Sequence, residues 1–284
     1  MRFCIPCFPS NKQRAFPTTS SLRRLSTTNP DDVESAEMYS AVDGCGRNMS
    51  FMSFASIEVD QFGSHSEAEL NRIIDVGQRK LSLLRNAVLV RSGFLPSGTV
   101  EATRLWYLPK SSSGPMISLG EVDISGFFDS AFVLRVISDF SRRVEWDPEF
   151  LEGEQIQLTE ITDRVMVRTC WAACKPRPSA AGRDFVYYVF TDIDEHRSTL
   201  VSWSVPAQDV PSGYAPKVRN PANVRGNLLL GGFNVERTET GLRLSYINQV
   251  EIGVSPWLSE PVLRKAPRLL NSLKAAILSR YISA

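Results

Sequence analysis

The stretch Gly182-Arg183-Asp184-Phe185-Val186-Tyr187-Tyr188-Val189-Phe190-Thr191 decides how the rest of the chain is read. Two opposite charges run directly into β-branched and aromatic residues, the composition of a strand entering the interior of a sheet. Arg183 and Asp184 are expected to pair with each other and hold a loop near the sheet edge. On either side, from residue 87 to residue 251, the chain parses as further strands of one antiparallel sheet, with helical patterns before and after.

Upstream of the sheet, Ser66-Glu67-Ala68-Glu69 matches a capping box. Leu70, Ile73, Ile74, Gly77, Leu81 and Leu84 then recur on one helical face. Residues 88–91, 103–108 and 116–124 read as three short strands. The apolar spacing of Phe127, Phe128, Ala131, Phe132, Leu134, Val136, Ile137 and Phe140 predicts a second helix, closed by Trp146-Asp147-Pro148. Residues 155–161 and 165–171 form a hairpin about Thr162-Asp163, and the strand from Phe185 follows. Val201, Trp203 and Val205 alternate along the next strand, 199–205. Residues 224–236 and 242–251 make the last two, with Gly231-Gly232 read as a mid-strand bulge. Leu242, Leu244, Tyr246 and Val250 face one way on the final strand, and Asn248 falls on that apolar side. The chain closes with a helix over 261–282 that starts near Pro267 and carries the stripe Leu269, Leu273, Ile277 and Tyr281. This order predicts an α+β fold, a curved antiparallel sheet of about nine strands with helices on one side.

The chain has 284 residues, and 32 basic against 31 acidic side chains leave no overall electrostatic signature of a nucleic-acid binder. No apolar run is long enough to cross a bilayer. Five cysteines, an odd number without a secretory signal, point to free thiols in a reducing compartment. Residues 1–62 read as a disordered leader, ahead of a folded domain over 63–284. The leader is basic and Ser-rich, with no acid before Asp31. It is compatible with a mitochondrial transit peptide, although Pro6, Pro9 and Pro17 spoil the amphipathic helix. Acylation at Cys4 and Cys7 is a second reading, and a basophilic kinase site at Arg23-Arg24-Leu25-Ser26 a third. Catalysis is not expected. The two histidines, His65 and His196, have no nucleophile or metal partner at informative spacing, and Cys170 and Cys174 read as packing residues. No cofactor or metal is expected either.

Several residues in this order resemble a known family. Trp146-Asp147 after the second helix, Arg183-Asp184-Phe185-Val186 at a strand start, Val224-Arg225 before Gly231-Gly232, Leu244-Ser245-Tyr246-Ile247-Asn248 on the last strand and the long closing helix are similar to the steroidogenic acute regulatory protein-related lipid-transfer (START) domain. The resemblance implies a helix-grip fold, in which the sheet wraps around the C-terminal helix and leaves a tunnel for one lipid. It also implies that the closing helix gates that tunnel on meeting a bilayer.

On that reading the tunnel is lined by Phe185, Tyr187, Val189, Val201, Trp203, Leu244 and Tyr246, with Arg225 and Asn248 as polar contacts. The family's phosphatidylcholine and cholesterol carriers have a basic residue five positions after the Asp of the Arg-Asp pair. Here that place is Val189, a departure that favours a sterol, fatty acyl or weakly polar lipid over a zwitterionic head. Arg264, Lys265, Arg268, Lys274 and Arg280 make the closing helix basic, so Arg268, Leu269, Leu273, Lys274, Ile277 and Arg280 form the expected gate and docking face for an anionic membrane. The function expected is a monomeric cytoplasmic carrier that touches membranes transiently and does not bind nucleic acid. The alternative is an adaptor that senses a lipid without transferring it.

Overall fold

The computed structural model describes residues 65–109, 114–126, 128–176, 181–251 and 260–282, with side chains in the last segment from residue 265 onward. All belong to the unit Ser56–Ala284. The leader expected over 1–62, with Cys4, Cys7 and the Ser26 motif, lies outside the described residues.

Helix α1 (Glu67–Leu89) begins as its capping box predicts: the Ser66 hydroxyl accepts from the Glu69 backbone N–H at 3.2 Å. Its buried face is Ile73, Gly77, Leu81, Leu84 and Val88. The helical period therefore continues through the residues read as a first strand. That strand starts later, as β1 (Leu95–Val100), followed by β2 (Thr103–Leu108) and β3 (Ile117–Ser125). The second helix is shorter than its apolar spacing suggested. α2 (Ser130–Ser138) is capped by Asp129 and stops at Asp139, whose backbone is extended, and a 3-10 turn over Phe140–Glu145 follows.

Seven further strands complete the sheet: β4 (Phe150–Glu160), β5 (Val165–Cys174), β6 (Arg183–Asp192), β7 (Arg197–Ser204), β8 (Val224–Arg225), β9 (Asn227–Thr238) and β10 (Gly241–Glu251). Nine of them run in the order β1-β2-β3-β10-β9-β7-β6-β5-β4, and β8 pairs separately with β6. The sheet is antiparallel along that path, curved and not closed into a barrel. The stretch that organises the reading, now β6, is interior, with β5 and β7 as neighbours. β9 keeps its register through Gly231 and Gly232, and the irregularity expected there falls at Gln249/Val250 instead.

The α3 helix (Glu260–Ile282) closes the fold, with Pro267 inside it rather than at its start. Helices cover both faces of the sheet, not one. Side chains of a strand alternate between faces, so β6 sends Tyr188 and Phe190 toward α1, and Tyr187 and Val189 toward α2 and α3. α1 needs a glycine to approach: a Cβ on Gly77 would lie 2.6 Å from the Phe190 ring. Gly232 is tighter, because a Cβ there would meet the Leu200 carbonyl oxygen at 2.3 Å and Leu84 Cδ1 at 2.7 Å. Strand backbone cannot yield as a side chain can. Gly232→Ala is therefore expected to cost at least about 2 kcal/mol in urea unfolding. Gly213→Ala, which meets nothing within 4 Å, should stay within about 0.5 kcal/mol of the parent.

Candidate functional site

The inner face of the sheet does not pack completely against α2 and α3. Between them lies a cavity of about 230 Å³. Strand alternation and register build its wall. β5 contributes Arg168, Cys170, Ala172 and Cys174, and β6 contributes Arg183, Phe185, Tyr187 and Val189. The pairs Cys170 with Tyr187 and Arg168 with Val189 sit side by side. Ser202 on β7 and Tyr246 and Asn248 on β10 extend the wall, and the turn after α2 covers it with Phe140, Arg143, Trp146 and Asp147. Lys265 and Leu269 reach it from α3.

The cover carries an ion pair. Arg143 Nη2 and Nε donate to Asp147 Oδ2 at 2.9 and 3.1 Å, and Nη1 donates to the Tyr187 hydroxyl at 3.3 Å. The guanidinium carbon stands 5.7, 5.4 and 5.1 Å from the ring centres of Phe140, Trp146 and Phe150, close enough for cation–π attraction. Burial works against ionising Asp147. The charges of Arg143 and Lys265, with hydrogen bonds from Arg143 and the Glu149 backbone, outweigh it and hold the carboxyl below its usual range. Burial pushes the Cys170 thiol up to about 12, which favours its neutral form on the wall.

Two cations in the wall lack such a partner. Among the described residues Arg168 donates only to the Ser138 hydroxyl at 3.1 Å and the Met166 sulfur at 3.8 Å, and burial lowers its pKa against the weaker opposing charges of Cys170 and Glu160. Lys265 has no hydrogen bond or contact ion pair among the described residues. Burial would lower its pKa, but the titratable groups facing it, Cys174, Tyr246, Asp147 and Glu149, raise it. Among the described residues the lining holds five basic residues (Arg143, Arg168, Lys175, Arg183, Lys265) against two acids (Asp147, Glu149).

Phe185, Tyr187, Val189, Tyr246 and Asn248 line this cavity as expected from the alternation. Val201 and Trp203 do not. Tyr188 pairs with Trp203 and Phe190 with Val201, so both belong to the face under α1, and the cavity receives Leu200 and Ser202 instead. Leu244 lies on the inner face but in its filled core. Arg225 is a structural residue: its Nη2 and Nε donate to the two Asp184 oxygens at 2.9 and 3.1 Å, and Nη2 also reaches the Tyr214 carbonyl. Arg183 and Asp184 point to opposite faces because they are neighbours on one strand, so they do not pair as expected.

Leu269, Leu273 and Ile277 are 2%, 0% and 0% exposed, so the stripe read as a docking face is core. Arg280 is tied to Asp139 and Glu145, and Lys274 donates to the Asp123 carbonyl. Arg268 is exposed.

Sequence reasoning missed the ligand-facing potential of Arg143, Asp147, Arg168, Lys265 and Ser202. For Arg168 a signal existed: it alternates with Cys170, Ala172 and Cys174 on β5. The cation absent at Val189 thus stands one strand over, about 4.8 Å away across the sheet. On the opposite face, Thr169 Oγ1, His65 and Glu69 form a string at 3.3 and 3.2 Å. Thr169 is buried beneath α1, so this string pins the start of the helix. Among the described residues no cluster of three or more His, Cys, Asp or Glu could hold a metal, and no helix is long and apolar enough to cross a membrane.

No protein-family model matches the chain. Solved structures establish its fold as that of START domains. Human StAR-related lipid transfer protein 5 superposes with a TM-score of 0.60 at 18% identity, covering 74% of this chain and 99% of that one. Human STARD10 gives 0.58 at 12%, covering 77% and 82%. A STAR-related lipid transfer protein from Xanthomonas axonopodis gives 0.51 at 17%, covering 65% and 98%. Among curated proteins, an acetyl-coenzyme A thioesterase from Mus musculus is 21% identical over 252 residues, 78% of this chain but 42% of that protein. The chain thus spans less than half of that relative.

The Arg143–Asp147 pair sets a pH dependence. A carboxyl held below its unfolded pKa contributes stability above the unfolded value and loses it as pH falls through the folded one. Asp147→Asn should lower stability at neutral pH by about 3 kcal/mol, since it leaves Arg143 buried and unpaired. Below pH ~4 its stability should also fall less steeply than the parent's. Parallel acid-unfolding curves would remove the pair from this role.

Proposed function

We propose that this chain binds one lipid with an acidic head in the cavity and carries it between membranes. The observation that carries the reading is Arg168, a desolvated guanidinium on the cavity wall whose hydrogen-bond partners among the described residues, the Ser138 hydroxyl and the Met166 sulfur, are both neutral, while Glu160 adds an attraction without a hydrogen bond. Such a cation gains most from a carboxylate or phosphate, whose charge-assisted hydrogen bonds are the strongest available. The excess of basic over acidic lining residues supports the same class. Of the classes that suit the apolar wall, a fatty acyl lipid supplies the missing anion, whereas a sterol does not. A cavity of about 230 Å³ is smaller than the roughly 300–1,000 Å³ of pockets for drug-sized ligands, which favours one slender chain over a two-chain phospholipid. The START fold supports carriage, because the similar structures are named lipid transfer proteins. The partial likeness to a thioesterase covers 42% of that protein, and burial raises the pKa of the Cys174 thiol that lines the cavity near Lys265.

Membrane contact is part of the proposal. The exposed surfaces that suit it are Arg268 on α3 and the half-exposed Val144 and Leu151 beside the cover. In this reading the chain acts as a cytoplasmic monomer and docks transiently.

Arg168→Leu should weaken binding of a fatty acid about 10- to 100-fold, the worth of a hydrogen bond to a charged group. Arg168→Lys should recover part of it, and the methyl ester of the same acid should discriminate little between variants. Titration with a fluorescent fatty acid reads all of these, and an unchanged affinity in Arg168→Leu would contradict the assignment. Transfer from donor to acceptor vesicles tests carriage, and retention without transfer favours the sensing adaptor. Arg268→Glu is expected to reduce binding to anionic vesicles about tenfold, since reversal removes an attraction of about 1 kcal/mol and adds a repulsion. Equal sedimentation of both proteins with such vesicles would remove Arg268 from the docking surface.

A further inference from the structure

The cavity carries a cation toward each end, and an acidic head at Arg168 answers only one of them. Strand β5 measures the distance between the ends. Arg168 and Cys174 lie six residues apart on one face of that strand, and both line the cavity. At about 3.3 Å per residue they are roughly 20 Å apart. The Arg168 guanidinium reaches back to the Met166 sulfur and to the Ser138 hydroxyl at the close of α2, on the side away from Cys174. Lys265 enters the cavity from α3 at the other end. Apart from burial, the groups that act most on its charge are Cys174, Tyr246, Asp147 and Glu149, whereas those acting on Arg168 are Cys170 and Glu160. The two cations thus share no neighbour. Asp147 is already paired with Arg143, and no acceptor among the described residues lies within hydrogen-bonding distance of the Lys265 ammonium. Lys175 and Arg183, at the same end, donate to the carbonyls of Pro148 and Ala181.

We propose that Lys265 receives a second anionic group, so that the preferred ligand is an acyl chain with an acid at each end, of the class of long α,ω-dicarboxylic acids. The inference rests on the carrier reading and adds to it the chemistry of the chain's far end. A methyl end would leave the ammonium desolvated and unpaired, which is costly. A neutral hydroxyl would accept a hydrogen bond but leave the charge uncompensated. A zwitterionic group would bring another cation to an end that already holds Arg143, Lys175, Arg183 and Lys265 against Asp147 and Glu149 among the described residues. The span also sets the length. With carbon–carbon bonds of about 1.5 Å, an extended chain of about sixteen carbons crosses roughly 20 Å.

The test uses the full chain and displacement of a fluorescent fatty acid by hexadecanoic acid and by hexadecanedioic acid. The parent should bind the diacid about tenfold more tightly, the worth of a hydrogen bond to a charged group. Dodecanedioic acid, too short to join both cations, should hold no such advantage over dodecanoic acid. Lys265→Met should bring the two longer acids toward equal affinity and Lys265→Arg should keep the preference, with thermal unfolding run beside them to confirm that the variants are folded. Equal or weaker binding of the longer diacid by the parent, an advantage of the same size at the shorter length, or a preference that survives in Lys265→Met overturns the second anion site while leaving the carrier reading in place. If the parent binds none of the acids, the carrier reading fails and the second site fails with it.

Discussion

The register of β6 against β5 and β7 is the constraint on which the rest depends. Because strand side chains alternate, this one pairing decides that Tyr187 and Val189 look inward while Tyr188 and Phe190 look toward α1. A slip by one residue would exchange the two faces. Both faces are apolar, so hydrophobicity alone would not forbid it. The charged entry to the strand does. Asp184 must lie outward, where Arg225 and the Trp171 indole meet it, and Arg183 must lie inward at the cavity. The ion pair that holds β8 to β6 thus also sets the phase of the ligand wall.

Given that phase, the chemistry of the wall follows. Its ion pair, Arg143 with Asp147, is self-satisfied and enclosed by aromatic rings, which makes it part of the cover. The groups left over are a guanidinium, an ammonium, a hydroxyl and an amide, on Arg168, Lys265, Ser202 and Asn248. A cavity whose apolar surface is interrupted at a few positions by unsatisfied polar groups has the usual form of a small-molecule site. In the proposed reading these groups describe the complement of the ligand.

Much of this was legible in the residues. The capping box before α1, the period of two along β10 and the hairpin of β4 and β5 gave the elements, and the ordered family residues gave the helix-grip arrangement. What failed shares one physical cause. Local periodicity reports that residues share a face, but not which face, because on a sheet covered on both sides each face is apolar. Periodicity therefore places Trp203 inward with as much local reason as Tyr187, and it does not say whether the stripe on α3 docks on a membrane or packs as core. Arg168 was hidden for the same reason: a lone basic residue on an apolar strand looks like solvent-facing relief until its strand is phased. Asn248 was legible because β10 also carries charged residues on its other side, which break the symmetry.

In the proposed reading this cavity holds one acidic lipid. Native mass spectrometry of the full chain as purified from cells, with extraction and identification of what it releases, tests it most directly. A one-to-one complex with a single acyl lipid bearing a carboxylate or phosphate is expected. Protein that arrives empty and takes up no fatty acid on incubation, or that carries only a sterol, would contradict it.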